Sequence, residues 1–198
     1  MARPSTFVRI PKDRIGALIG PEGRVKERIE KQLGIEMGID SETGDVTLTL
    51  SPNAQDPSVL FRAKEVITAI GRGFAPDRAF RLLQDEDALL EVIDLREIFG
   101  RSLSDLQRLK GRIIGQEGKT RRIIEELTDA DVSVYGHTVS IIADADEMDI
   151  AREAIKMLLQ GRQHSSVYRF LHKKRRELKK KKLELWEKPL EEMDKKER

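Results

Sequence analysis

A self-match at a fixed offset of 95 residues constrains this chain more than any other feature. The shift places Gly16 on Gly111, Ile19 on Ile114, Gly20 on Gly115, Glu22 on Glu117, Gly23 on Gly118, Arg24 on Lys119, Lys26 on Arg121, Ile29 on Ile124, Met37 on Val132 and Ile39 on Val134. One pattern carried twice in 198 residues predicts two small units, at 1–75 and 88–162, with a helical connector at 76–87 and a basic C-terminal helix or tail at 163–198. Units of about 80 residues bury too little surface to be robust alone, so the two halves are expected to pack together.

The periodicity within each copy gives the same order of elements. Phe7, Val8 and Ile10 start a strand that Pro11 stops, and a short helix follows over 14–19. Val25, Ile29 and Leu33 share one face of a helix that Gly34 ends. Ile35, Met37 and Ile39, then Val46, Leu48 and Leu50, alternate as two half-buried strands of a hairpin, and a helix is predicted over 56–74. The second copy repeats this: a strand in 88–98, helices over 104–114 and 119–127, strands over 132–135 and 138–142, and a helix over 146–159. The last segment is predicted to be helical and to fray after Trp186, where Pro189 interrupts.

Between the first two helices of each copy lies Gly-x-x-Gly: Gly20-Pro21-Glu22-Gly23 and Gly115-Gln116-Glu117-Gly118. A glycine there ends one helix in a left-handed conformation, and the other lets a polymer backbone approach closely. Free N–H groups opening the next helix attract phosphate. Basic side chains surround both loops: Arg14, Arg24, Lys26 and Arg28 in the first copy, Lys110, Arg112, Lys119, Arg121 and Arg122 in the second.

The net charge of +2 conceals a division. From His172 to Lys182 eight basic residues face one acid, whereas Met1 to Leu171 carries 25 basic and 28 acidic side chains. Nucleic-acid binding by the body must therefore rest on local patches, with the tail as a basic arm. Cysteine is absent, which excludes thiol redox chemistry and cysteine metal sites; one Asn and abundant Glu, Lys and Arg point to a thermophile. No apolar run is long enough for a membrane span or export signal, so a cytoplasmic location is expected. His137, His164 and His172 lie apart with no partnered nucleophile. Asp144, Asp146, Glu147 and Asp149 read as acids at a helix start, as do Glu22 and Glu117. No catalytic residue, metal or cofactor follows.

The order βααββα with Gly-x-x-Gly between the first two helices resembles the type I KH domain, carried twice over about residues 6–161. The resemblance implies an α+β fold in which each unit is an antiparallel three-stranded sheet with helices on one face, followed by the C-terminal helical basic tail. It also implies that each loop clamps the backbone of about four single-stranded nucleotides beside a base-reading groove. Carried over by position, Ile19, Val25 and Met37 line one groove, and Ile114 and Val132 the other.

Two departures stand out. Both loops hold Glu where KH loops tend to carry Lys or Arg, and a position usually apolar is basic in both copies, at Lys26 and Arg121. With the basic tail, this arrangement resembles the archaeal relatives of partner-of-Nob and KRR-type small-subunit ribosome assembly factors. The resemblance implies a monomeric, non-catalytic protein that grips single-stranded rRNA near the 3′ end of the small-subunit precursor, with an assembly endonuclease or a translation factor as protein partner. The alternative is an adaptor for such a factor, with RNA contact secondary. Pro21 lacks the N–H that Gln116 keeps, so the second loop is expected to contribute more to affinity.

Overall fold

The computed structural model of the protein describes residues 3–52, 54, 56–100 and 102–194, with side chains described through residue 184. It is an α+β fold of two three-stranded antiparallel sheets. The first unit runs β1 (Ser5–Arg9), α1 (Ile15–Ile19), α2 (Arg24–Leu33), β2 (Ile35–Ile39), β3 (Asp45–Leu50) and α3 (Val59–Gly71). Its sheet order is β1-β3-β2, which leaves β2 at an edge. Val46, Leu48 and Leu50 point inward from β3 and meet Leu18, Ile29 and Ile67 of the helices, all buried. The alternate residues Asp45, Thr47 and Thr49 face outward beside Phe7, which is 74% exposed.

The connector forms two single-turn helices, α4 (Pro76–Ala79) and α5 (Arg81–Gln84). The second unit follows as β4 (Leu89–Asp94), α6 (Leu95–Phe99), α7 (Leu103–Ile114), α8 (Lys119–Thr128), β5 (Asp131–Tyr135), β6 (Thr138–Ala143) and α9 (Ala145–Leu159), with sheet order β4-β6-β5. The strand expected within 88–98 runs to Asp94, whose carboxylate accepts the Arg96 N–H at 2.8 Å and so caps the additional helix α6. The helix expected over 56–74 begins later, at Val59, because Asp56 turns back on the Ser58 N–H at 2.8 Å.

The outward face of the second sheet is not open. Every residue of β6 is buried, and Ile142 joins the first unit's core beside Phe80, Leu82 and Ala88. Ser133 Oγ donates to the Arg72 carbonyl at 2.9 Å, Tyr135 donates to Asp13, and Arg14 lies over the Tyr135 ring at 5.7 Å. Gly73 adopts φ +97°, and a Cβ there would collide with Ser133 and Tyr135. Arg78 and Arg81 reach across from the connector to Glu125, Asp131 and Asp144. Burial raises the pKa of Asp131 even against the pull of these two arginines. Ser133→Ala removes one hydrogen bond across the interface and leaves a carbonyl unpaired, and is expected to lower stability by about 1 kcal/mol in denaturant titration.

The last helix, α10 (His164–Asp194), continues through Pro189 rather than fraying after Trp186, whose side chain lies outside the described residues. It is more than a solvated arm. Val167 and Leu171 are fully buried in the second unit's core. Lys181 and Lys182 bond Asp146 and Glu147 at 2.7 and 2.9 Å, so the acids at the start of α9 receive the end of the basic run. Among the described residues no helix is long and apolar enough to cross a membrane, and no cluster of His, Asp and Glu has the geometry of a metal site.

Candidate nucleic-acid interface

The two loops have nearly the same backbone. Gly20 sits at φ 73°, ψ 174° and Gly115 at φ 72°, ψ 176°; Glu22 and Glu117 take φ 52° and 51°; Gly23 and Gly118 both take φ 76°. A side chain at Gly20 would run into Val25, and one at Gly115 into Thr120. At Gly23 and Gly118 an added Cβ meets nothing within 4 Å, so these positions are open to an approaching ligand. Two glutamates in the left-handed region, each strained by roughly 1 kcal/mol, mark both loops as held rather than relaxed. The expectation that Glu22 and Glu117 belong to a helix's first turn is therefore corrected: they precede the glycines that cap α2 and α8. Glu22 instead pairs with Arg24 at 2.6 Å.

Most loop N–H groups turn inward. Gly20, Gly23 and Arg24 donate to Gly16, Gly20 and Pro21; Gly115, Gly118 and Lys119 donate to Gly111, Gly115 and Gln116. Among the described hydrogen bonds this leaves the N–H of Glu22 in the first loop and those of Gln116 and Glu117 in the second. The second loop keeps one more phosphate donor because Pro21 has none.

Several predicted RNA contacts are committed elsewhere. Arg14 donates to the carbonyls of Ile70 and Phe74 at 2.8 and 2.6 Å, and Arg112 to those of Leu158 and Arg162 at 3.0 and 2.5 Å. Though not at equivalent repeat positions, the two arginines do one job, satisfying carbonyls at the end of the unit's last long helix. Lys110 holds the Gly136 carbonyl at 2.9 Å, and Arg28 stacks on Phe80 at 4.1 Å. Met37 and Val132 are core residues, 3% and 1% exposed, not groove lining. Ile19, Val25 and Ile114 are half-buried beside the loops. Lys119 and Arg122 are exposed, the latter bonded to the Glu117 carbonyl at 2.9 Å. Pro21 and Gln116 are exposed at the loop tips.

Lys26 and Arg121 explain each other through a feature the sequence reading missed. Glu30 accepts the Met37 N–H at 2.7 Å, and Glu125 accepts the Val132 N–H at 3.0 Å, each closing the edge of its sheet from the preceding helix. Lys26 stands 3.8 Å from Glu30, and Arg121 stands 4.0 Å from Glu125. The unusual cations thus face carboxylates, at distances longer than a hydrogen bond. The signal was available, because Glu30 and Glu125 are themselves 95 residues apart. The braces are unequal: Glu125 is 13% exposed and gripped by Arg78 at 2.5 Å, whereas Glu30 is 27% exposed.

The β5–β6 turn carries His137, whose Nε2 lies 2.5 Å from Arg96 and 3.4 Å from Asp94. Burial, and beyond it the neighbouring cations Arg96, Arg72 and Lys110, hold its pKa below the ordinary value, with Asp94 pulling the other way. The neutral form belongs to the folded state. Its contribution is therefore complete above the unfolded pKa of about 6.5 and is lost as pH falls through the depressed folded value. Thermal melts from neutral to mildly acidic pH are expected to show this loss, and His137→Gln to flatten it.

Comparison with known proteins agrees with this geometry. A KH domain model matches residues 5–69, and a model described as eukaryotic type KH-domain (KH-domain type I) matches residues 89–176. A KH domain-containing protein of Methanocaldococcus jannaschii is 47% identical over 173 residues, covering 87% of this chain and 75% of that protein. The pre-rRNA-processing protein PNO1 of Phaeosphaeria nodorum is 27% identical over 161 residues, covering 81% of this chain and 62% of that protein. Among solved structures, a chain of the a/eIF2alpha-aDim2p-rRNA complex from Pyrococcus horikoshii matches with TM-score 0.82 and 46% identity, covering 88% of this chain and 96% of that one.

Proposed function

Because this chain belongs to the two-KH-domain family of archaeal Dim2p and PNO1 proteins, we propose that it is a non-catalytic factor that grips single-stranded rRNA during small-subunit assembly, near the 3′ end of the precursor. The observation that carries this reading is the pair of open, glycine-rimmed loops, alike in torsion and each set between two helices, 95 residues apart. Exposed N–H groups and Lys119 favour phosphate there, and a matching solved structure is a complex containing rRNA. The mechanism is positioning. The loops fix a short single strand, and a separate enzyme does the chemistry. That same complex contains a/eIF2alpha, which supports a translation-factor subunit as protein partner.

Fragments tiling small-subunit rRNA, measured by fluorescence anisotropy, test the reading. The 3′-terminal fragments should bind most tightly, and affinity should fall steeply with salt. Equal binding along the whole rRNA would remove the 3′ assignment. Salt-independent binding that survives changes at Gly118 would favour the adaptor instead.

A further inference from the structure

Among the described residues, four of the surface grooves differ in the charge of their walls. Three are lined partly by carboxylates. The fourth, about 440 Å3, lies between the second loop and α10 and has no acid in its lining. Bare backbone at Gly115 lines it together with Arg108, Lys119 and the rings of His164 and Tyr168. Both rings are fixed in place: the Tyr168 hydroxyl bonds Thr120 Oγ1 at 2.9 Å, and His164 Nε2 donates to the Arg112 carbonyl at 2.9 Å. Lys119 has no carboxylate partner among the described ion pairs, and Arg108 only a distant one, Asp105 at 3.5 Å.

The groove opens onto a basic track. His172, Arg175 and Lys179 follow Tyr168 at i+4, i+7 and i+11, all exposed, so they continue one flank of α10 for roughly 16 Å. Neither Arg175 nor Lys179 has an ion-pair partner among the described residues, unlike Lys181 and Lys182 further on. In the first unit the connector, not a basic helix, packs against α2 through Phe80 and Leu83.

We propose that this groove is a nucleotide subsite that carries the RNA path out of the second loop and along α10. The base of the flanking nucleotide stacks on Tyr168, its phosphate lies between Arg108 and Lys119, and later phosphates follow Arg175 and Lys179. A stacking face beside a cationic track is the combination that holds single strands without reading every base. This assignment rests on the RNA-binding reading of the two loops.

The test compares short and long RNA from the 3′ end of small-subunit rRNA, about four and about ten nucleotides, by fluorescence anisotropy. Tyr168→Ala should weaken the long RNA about tenfold and leave the short one unchanged, while Tyr168→Phe, which keeps the stacking face but gives up the bond to Thr120, should bind the long RNA more tightly than Tyr168→Ala. Arg175→Glu with Lys179→Glu, both on the exposed surface, should also weaken only the long RNA by about tenfold and lessen its salt dependence. The proposal is overturned if the double charge reversal binds long RNA like the parent, or if Tyr168→Ala weakens both lengths alike. Equal parental affinity for the two lengths would sink the subsite alone; no binding of either would remove the RNA reading with it.

Discussion

Gly118→Asp is expected to weaken single-stranded RNA binding about a hundredfold, and Gly23→Asp about tenfold. A carboxylate about 5 Å from a phosphate repels it by about 3 kcal/mol at the effective dielectric of a protein surface, which is a factor of about one hundred in Kd. The two substitutions are matched controls for each other. Both glycines have φ 76°, so the left-handed strain of an aspartate is common to both, and an added Cβ meets nothing at either position. What differs is the loop around them. The second offers the N–H groups of Gln116 and Glu117 and the unpaired Lys119; the first has Pro21 and an Arg24 already paired with Glu22. Anisotropy on both variants decides the ranking, and a larger loss from Gly23→Asp would reverse it.

Leu171→Ala is expected to cost about 3 kcal/mol and to lower Tm by about 10 °C. Leu171 is wholly buried in the second unit's core, where α10 packs against α8 and α9, so its truncation opens a cavity there. Arg175, one turn further and exposed, should change stability by no more than about 0.5 kcal/mol when replaced by Ala. Differential scanning calorimetry on the pair separates a core helix from a solvated arm. If Leu171→Ala melts with the parent, α10 is not part of the folded unit.

The contrast shows which parts of the molecule a sequence exposes. The loops and the element order were legible because a repeat doubles every signal, and glycine spacing and strand alternation are local properties. The docking of α10 was less visible: Val167, Leu171 and Leu178 keep helical spacing, but eight cations within eleven residues dominate the segment. The closed face of the second sheet also left a trace. The outward residues of β6, Thr138, Ser140 and Ile142, include no charge, whereas β3 places Asp45 and two threonines outward. The structural partners of Arg14, Lys110 and Arg112 were hidden for a different reason. They are backbone carbonyls up to 60 residues away, and a carbonyl has no letter in a sequence.

The glutamates that accept N–H groups from β2 and β5 also bear on how copies of this chain coexist at high concentration. Each sheet ends in an edge strand, and an open edge invites another molecule's strand to add itself and begin a polymer. Glu30 and Glu125 each cover one donor of an edge strand with a carboxylate beside a nearby cation. An incoming strand must expel that carboxylate and leave its cation without a partner, so the same side chains that tie helix to sheet also discourage aggregation. In a chain rich in charge and poor in aromatic residues, this protection adds no residue to the fold.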